Sequence, residues 1–127
     1  MIATRINAPD APQTSGRYAQ AVVIQDAKRW LYVSGQIPVN TSGSVPAGFA
    51  DQCRLAWSNL EAQLCAADMT ISNLVKVNMF LSDRSYADVN RAIRHEVLGD
   101  HQPAMTVVIA GIFDESWLLE IEAIAGD

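Results

Sequence analysis

The chain has 127 residues, half of them hydrophobic and only 18% charged, which fits one folded domain spanning residues 1–127 and argues against disorder, since disorder needs low hydrophobicity and high charge. The net charge of −5, with nine scattered Lys and Arg residues, disfavours nucleic acid, whose binding relies on clustered cations. Its densest basic stretch, Arg84 to Arg94, is interrupted by Asp83 and Asp88 and answered by Glu96, and reads as a solvated helix face.

The first residues, Met1-Ile-Ala-Thr-Arg-Ile-Asn, carry no apolar signal region, and no run approaches a membrane span of about 18 apolar residues. Pro9 and Pro12 flank Asp10, giving an extended start. Tyr18 to Ile24 and Trp30 to Ser34 read as strands rich in β-branched and small residues. Asp26 to Arg29 is the turn between them, so the two are expected to form a hairpin. An additional strand before them is left open.

Gly35-Gln-Ile-Pro38 breaks the pattern, and 40–48 is a polar loop. From Phe49 to Ala67 the apolar period becomes helical, through Phe49, Cys53, Trp57, Leu60 and Leu64. Cys53 and Cys65 lie on this helix, about 18 Å apart at 1.5 Å per residue, too far for a disulfide. With no internal disulfide expected, the sequence points to the cytoplasm. Leu74 to Leu81 is a short apolar strand. Ser82-Asp83 and Ser85-x-x-Asp88 offer caps for a second helix, whose inner face is expected to carry Tyr86, Val89, Asn90, Ile93 and Val97 and which Gly99-Asp100 ends. The last strands are Ala104 to Ala110 and Leu118 to Ala125. Leu119, Ile121 and Ala123 face one way; Glu120 and Glu122 face the other.

The order β-β-α-β-α-β-β gives an α+β layer, two helices on one face of a largely antiparallel sheet. Covering the other face with further copies of the chain is the natural solution. No metal site is indicated: His95 and His101 are six apart and neither Cys sits in a ligand-like spacing. Nor is there a nucleophile elbow or a phosphate-cradling loop. What stands out is Glu120 and Glu122 in an apolar strand. Either that side faces water, or one carboxylate is partly desolvated and can act as a general acid or base.

Several segments then carry a specific resemblance. Gly16-Arg-Tyr-Ala-Gln-Ala21 is similar to the Gly-Pro-Tyr-Ser-Gln-Ala segment of the RidA/YjgF family. Leu31-Tyr-Val-Ser-Gly-Gln-Ile-Pro38 resembles that family's strand and turn. Val75-Lys-Val-Asn-Met-Phe-Leu-Ser-Asp83, Val89-Asn90, Pro103-Ala104 and Glu120-Ile-Glu-Ala-Ile-Ala125 match further segments in order along nearly the whole chain.

The resemblance implies a chorismate-mutase-like α+β fold and a homotrimer with a barrel-like core and ligand clefts between subunits. It implies hydrolysis of an enamine or imine to a carbonyl compound and ammonia, with no metal or organic cofactor. Carried over by position, Glu120 is the residue that helps to place water. Tyr18, Gly35 and Asn90 are substrate-binding, and Met105 falls where the family has an arginine that grips the substrate carboxylate. Arg17 stands where the family usually has proline.

The Met105 departure matters. A thioether is at most a weak acceptor, whereas a guanidinium offers a planar fork of donors. Losing such a charge-assisted pair costs roughly 3 kcal/mol or more in a desolvated cleft. Met105 either fills space in the barrel or lines a pocket for a ligand that is larger, or less anionic at that end. Arg17 or His101 is a candidate replacement cation by proximity in sequence. The resemblance therefore favours a deaminase for an imine other than 2-aminoacrylate. A non-catalytic small-metabolite-binding trimer is the alternative, and endoribonuclease activity is disfavoured by the acidic charge.

Overall fold

The computed structural model describes residues 1–14 and 16–127. Strands β1 (Ile2–Ile6), β2 (Ala21–Gln25) and β3 (Trp30–Gln36) precede helix α1 (Phe49–Ala66). Strand β4 (Leu74–Leu81), helix α2 (Ala87–Leu98), β5 (Ala104–Ile109) and β6 (Leu119–Gly126) follow. The main sheet runs β3-β6-β4-β5; its β3–β6 and β6–β4 pairs are antiparallel and β4–β5 is parallel. The fold is α+β, with both helices on one face of this mixed sheet.

Its core forms where the two periodicities meet. Trp57, Leu60 and Leu64 project from α1 onto Val77, Met79 and Leu81 of β4 and Ile121 and Ala123 of β6, all buried. Each fully buried Leu-sized side chain contributes about 1.5–3 kcal/mol. Alternation along β6 leaves Glu120 and Glu122 on the opposite, open face, with Phe80 and Asn78 as their partners on β4. Tyr32 on this face is 73% exposed, and Trp30 and Val108 are exposed too. Among the described residues, no helix is long and apolar enough to cross a membrane.

The expected β2–β3 hairpin does not form. β2 pairs with β1 as a separate two-stranded antiparallel sheet, from Ile2↔Gln25 to Ile6↔Ala21. The intervening turn is instead tied to the end of β6. Asp26 adopts a left-handed φ of 56°, Lys28 N donates to Asp127 O at 2.6 Å, and the Arg29 guanidinium pairs with the Asp127 carboxylate and donates to Ala67 O. These contacts point the chain into β3 alongside β6, so β2 is free to pair elsewhere. Residues 18–20 are not strand. Ala19 forms a single bridge with Ala104, its N–H donating to Pro103 O.

The second helix also departs from expectation. Asp83 caps a 3₁₀ turn at Arg84–Tyr86 by accepting from Ser85 N, and α2 itself starts without a side-chain cap. Its buried residues are Asn90, Ile93, Arg94 and Leu98. Val89, expected inside, is 44% exposed, whereas Arg94, expected on the solvated side, is only 5% exposed. The helix closes at Gly99, whose φ of 56° suits glycine.

Candidate functional site

Glu120 and Gly35 meet on the open face. Val33 pairs with Ala123 and Gln36 with Ile121, so β3 spends one residue more than β6 over this stretch, a bulge that contains Ser34 and Gly35. The bulge presents bare backbone to Glu120. A Cβ on Gly35 would lie 1.8 Å from Glu120 Oε1 and 2.6 Å from its Cδ, so the glycine is a requirement for this carboxylate position. Glu122 is engaged differently, accepting from Asn78 Nδ2 at 3.0 Å. Among the described residues Glu120 has neither a hydrogen-bond nor an ion-pair partner for its side chain. That asymmetry separates the two carboxylates, which the sequence did not.

Met105 lies on the other side of the sheet. It pairs with buried Val77 and packs against the helix-side core. With Gly16, Tyr18, Arg91, Arg94 and Val107 it lines a cavity of about 200 Å³. Tyr18 and Met105 are thus brought together, while Glu120 and Gly35 are on the opposite face of the same sheet. The two groups therefore do not share a face of the sheet.

The other sequence-derived candidates are placed as follows. Asn90 lies inside the core rather than on that cavity's wall. Its Oδ1 accepts from Cys53 Sγ and its Nδ2 donates to Met79 Sδ, both at 3.7 Å. Burial pushes the Cys53 thiol up to about 12, so it stays protonated. Arg17 is exposed and does not line the cavity. His101 Nε2 is 2.7 Å from Leu74 O, the geometry of a ring N–H donating to a carbonyl. It lines a different cavity, of about 510 Å³, with the β1–β2 pair.

The residue that sequence reasoning missed is Arg94. It is buried beside Met105, and its Nε has no hydrogen-bond partner among the described residues. A signal existed: Arg94 is one turn from Asn90 and next to Ile93, on the helix's inward arc. Its charge argued against burial, since Arg is almost never fully buried unless paired. Gln52 was also missed. Its Nε2 donates to Pro46 O and Ser116 O and its Oε1 accepts from Leu118 N, pinning the approach to β6 two residues before Glu120.

Comparison with other proteins agrees with this architecture. The Endoribonuclease L-PSP family model matches residues 8–126. The 2-iminobutanoate/2-iminopropanoate deaminase of Escherichia coli K12 is 36% identical over 121 residues, covering 91% of each chain. The rat protein of the same name is 34% identical over 123 residues, covering 94% of this chain and 87% of its own. Escherichia coli TdcF, crystallised with bound serine, superposes with a TM-score of 0.74 at 29% identity over 98% of each chain. A Rid-family protein of unknown function from Yersinia pestis, YyfB, reaches 0.88 over the full length of both chains, at 22% identity, a likeness of fold alone. The chain belongs to the Rid family, the RidA/YjgF group described by the Endoribonuclease L-PSP model.

Proposed function

We propose that this chain is a cofactor-independent hydrolytic deaminase acting on an enamine or imine other than 2-aminoacrylate. Its relatives named as 2-iminobutanoate/2-iminopropanoate deaminases support the reaction class. The observation that carries the mechanism is the unengaged Glu120 carboxylate held over the glycine bulge at Gly35. An enamine substrate first tautomerises to the imine. Water then adds through oxygen to the imine carbon, with Glu120 accepting one proton from the water and returning it to nitrogen. The carbon–nitrogen bond of this carbinolamine then breaks as its hydroxyl proton passes to the departing nitrogen, so one imine and one water give one ketone and one ammonia. A positioned acid–base group of this kind contributes about 10²–10⁴-fold.

Because Glu120 and Met105 lie on opposite faces of one sheet, a cleft using both takes them from different copies. A homotrimer, with the exposed apolar side chains of the open face turned inward, supplies that arrangement. The whole chain, residues 1–127, acts in it as one domain, in the cytoplasm, with a small molecule rather than nucleic acid as ligand.

The test generates 2-aminoacrylate and several bulkier imines in situ and traps them with semicarbazide. The protein should lower semicarbazone yield for at least one bulkier imine more than for 2-aminoacrylate, and Glu120→Gln should reduce that effect by about 100-fold or more. No effect across the panel would replace the enzyme with the alternative, a binding-only trimer.

A further inference from the structure

In a chain of net charge −5, one region is strongly positive. Arg94, Arg17 and Arg91 all bear on His95, and Arg91 bears on Arg94. His95 is held below its ordinary value by burial first and then by Arg94, Arg17 and Arg91, and Arg94 is lowered by burial and then by Arg91. Arg91 has only a loose contact with Asp88, at 3.6 Å with both side chains exposed. Arg94 forms no ion pair among the described residues, and its buried Nε is unpartnered.

A guanidinium does not escape this cost by losing its proton. Burying an unpaired charge is unfavourable unless a counter-charge arrives. The cavity is shaped for one. A Cβ at Gly16 would lie 3.3 Å from Arg94 Nη2, so glycine leaves room for the guanidinium, and the Tyr18 ring lies against the same point. Met105 and Val107 supply an apolar wall. The cavity, of about 200 Å³, has room for a carboxylate with a short aliphatic chain.

We propose that this cavity is a carboxylate site in which Arg94, reaching from α2, holds the anion, Arg91 adds charge beside it, and Met105 and Val107 contact a short aliphatic substituent. Anion recognition thus comes from the helix, and Met105 serves the apolar end. As a statement about binding, this does not depend on the deaminase reading. As a statement about substrate, it rests on the deaminase reading and narrows it to imines of carboxylic acids with an aliphatic side chain.

The experiment titrates the full chain with sodium butanoate, its neutral isostere butanamide and inorganic phosphate, by calorimetry and by amide chemical shifts. Butanoate should bind saturably and at least tenfold more tightly than either comparator, with shifts concentrated at Gly16, Tyr18 and Met105. Arg94→Met should weaken butanoate at least tenfold, and Arg94→Lys should recover part of the loss because it restores charge without the planar fork. The butanoate titration reads binding alone, so it stands or falls whether or not the chain turns over any imine. The proposal is overturned by no butanoate binding in the parent, by phosphate or butanamide binding as tightly, by unchanged affinity in folded Arg94→Met, or by a lysine no better than methionine. Should Arg94→Met not fold, the shift map of the parent decides: perturbations away from this cavity overturn the site.

Discussion

Asn90 and Arg94 lie one turn apart on α2, are 2% and 5% exposed, and meet opposite fates. Asn90 is turned into the seam between α1 and β4, where Cys53 and Met79 give its amide soft but matched partners. Arg94 is at the edge of the same layer, against β5 and the Gly16–Tyr18 segment, where it forms no ion pair among the described residues and its Nε has no hydrogen-bond partner. A buried polar group closed by its neighbours belongs to the fold, while one left open is a place where something else is expected to bind. The sequence pattern puts Asn90 on the inner face and Arg94 in solvent; in the fold both are buried.

Three outcomes break or sharpen that contrast. The largest is expected at Asn90→Ala, which removes volume and strands the Cys53 and Met79 contacts. Stability should fall by about 1–3 kcal/mol in urea or thermal unfolding, with butanoate affinity unchanged. Lost binding without lost stability would reverse the roles assigned to the two residues.

Arg94→Met should act in the other direction. Replacing an arginine whose Nε is buried and unpartnered among the described residues with an apolar chain of similar length is expected to leave stability unchanged or raise it by up to about 1–2 kcal/mol. A lower melting temperature would mean that the fold itself uses Arg94. The smallest effect concerns the thiols. Burial holds Cys53 at about 12, so a disulfide reagent at neutral pH should titrate Cys65 alone in the native protein and both thiols after denaturation. Rapid labelling of Cys53 would show the Asn90 seam to be open.

Much of the architecture was legible because it depends on local periodicity. The run Leu74–Leu81 is both the predicted and the observed strand, and α1 differs from the predicted helix by its last residue. The inward and outward alternation of β6 holds as read. Partner choice was not legible. Nothing in residues 18–34 says that the turn at Asp26–Arg29 is captured by Asp127, and that long-range contact, nearly a hundred residues away in sequence, removes the hairpin that local pattern favours.

The same division runs through the candidate site. The sequence itself determined the family motifs, the pair Glu120 and Glu122, and the absence of arginine at position 105. Each of these is a matter of residue type and order. Tertiary structure decided that Glu120 is unengaged over Gly35 while Glu122 is held by Asn78, that Met105 lies on the opposite face, and that an arginine from α2 stands beside it. The physical reason is that a side chain's charge cost, and so its chemistry, is set by what packs against it. For Arg94 those neighbours come from Gly16, Tyr18 and β5, which only folding brings together.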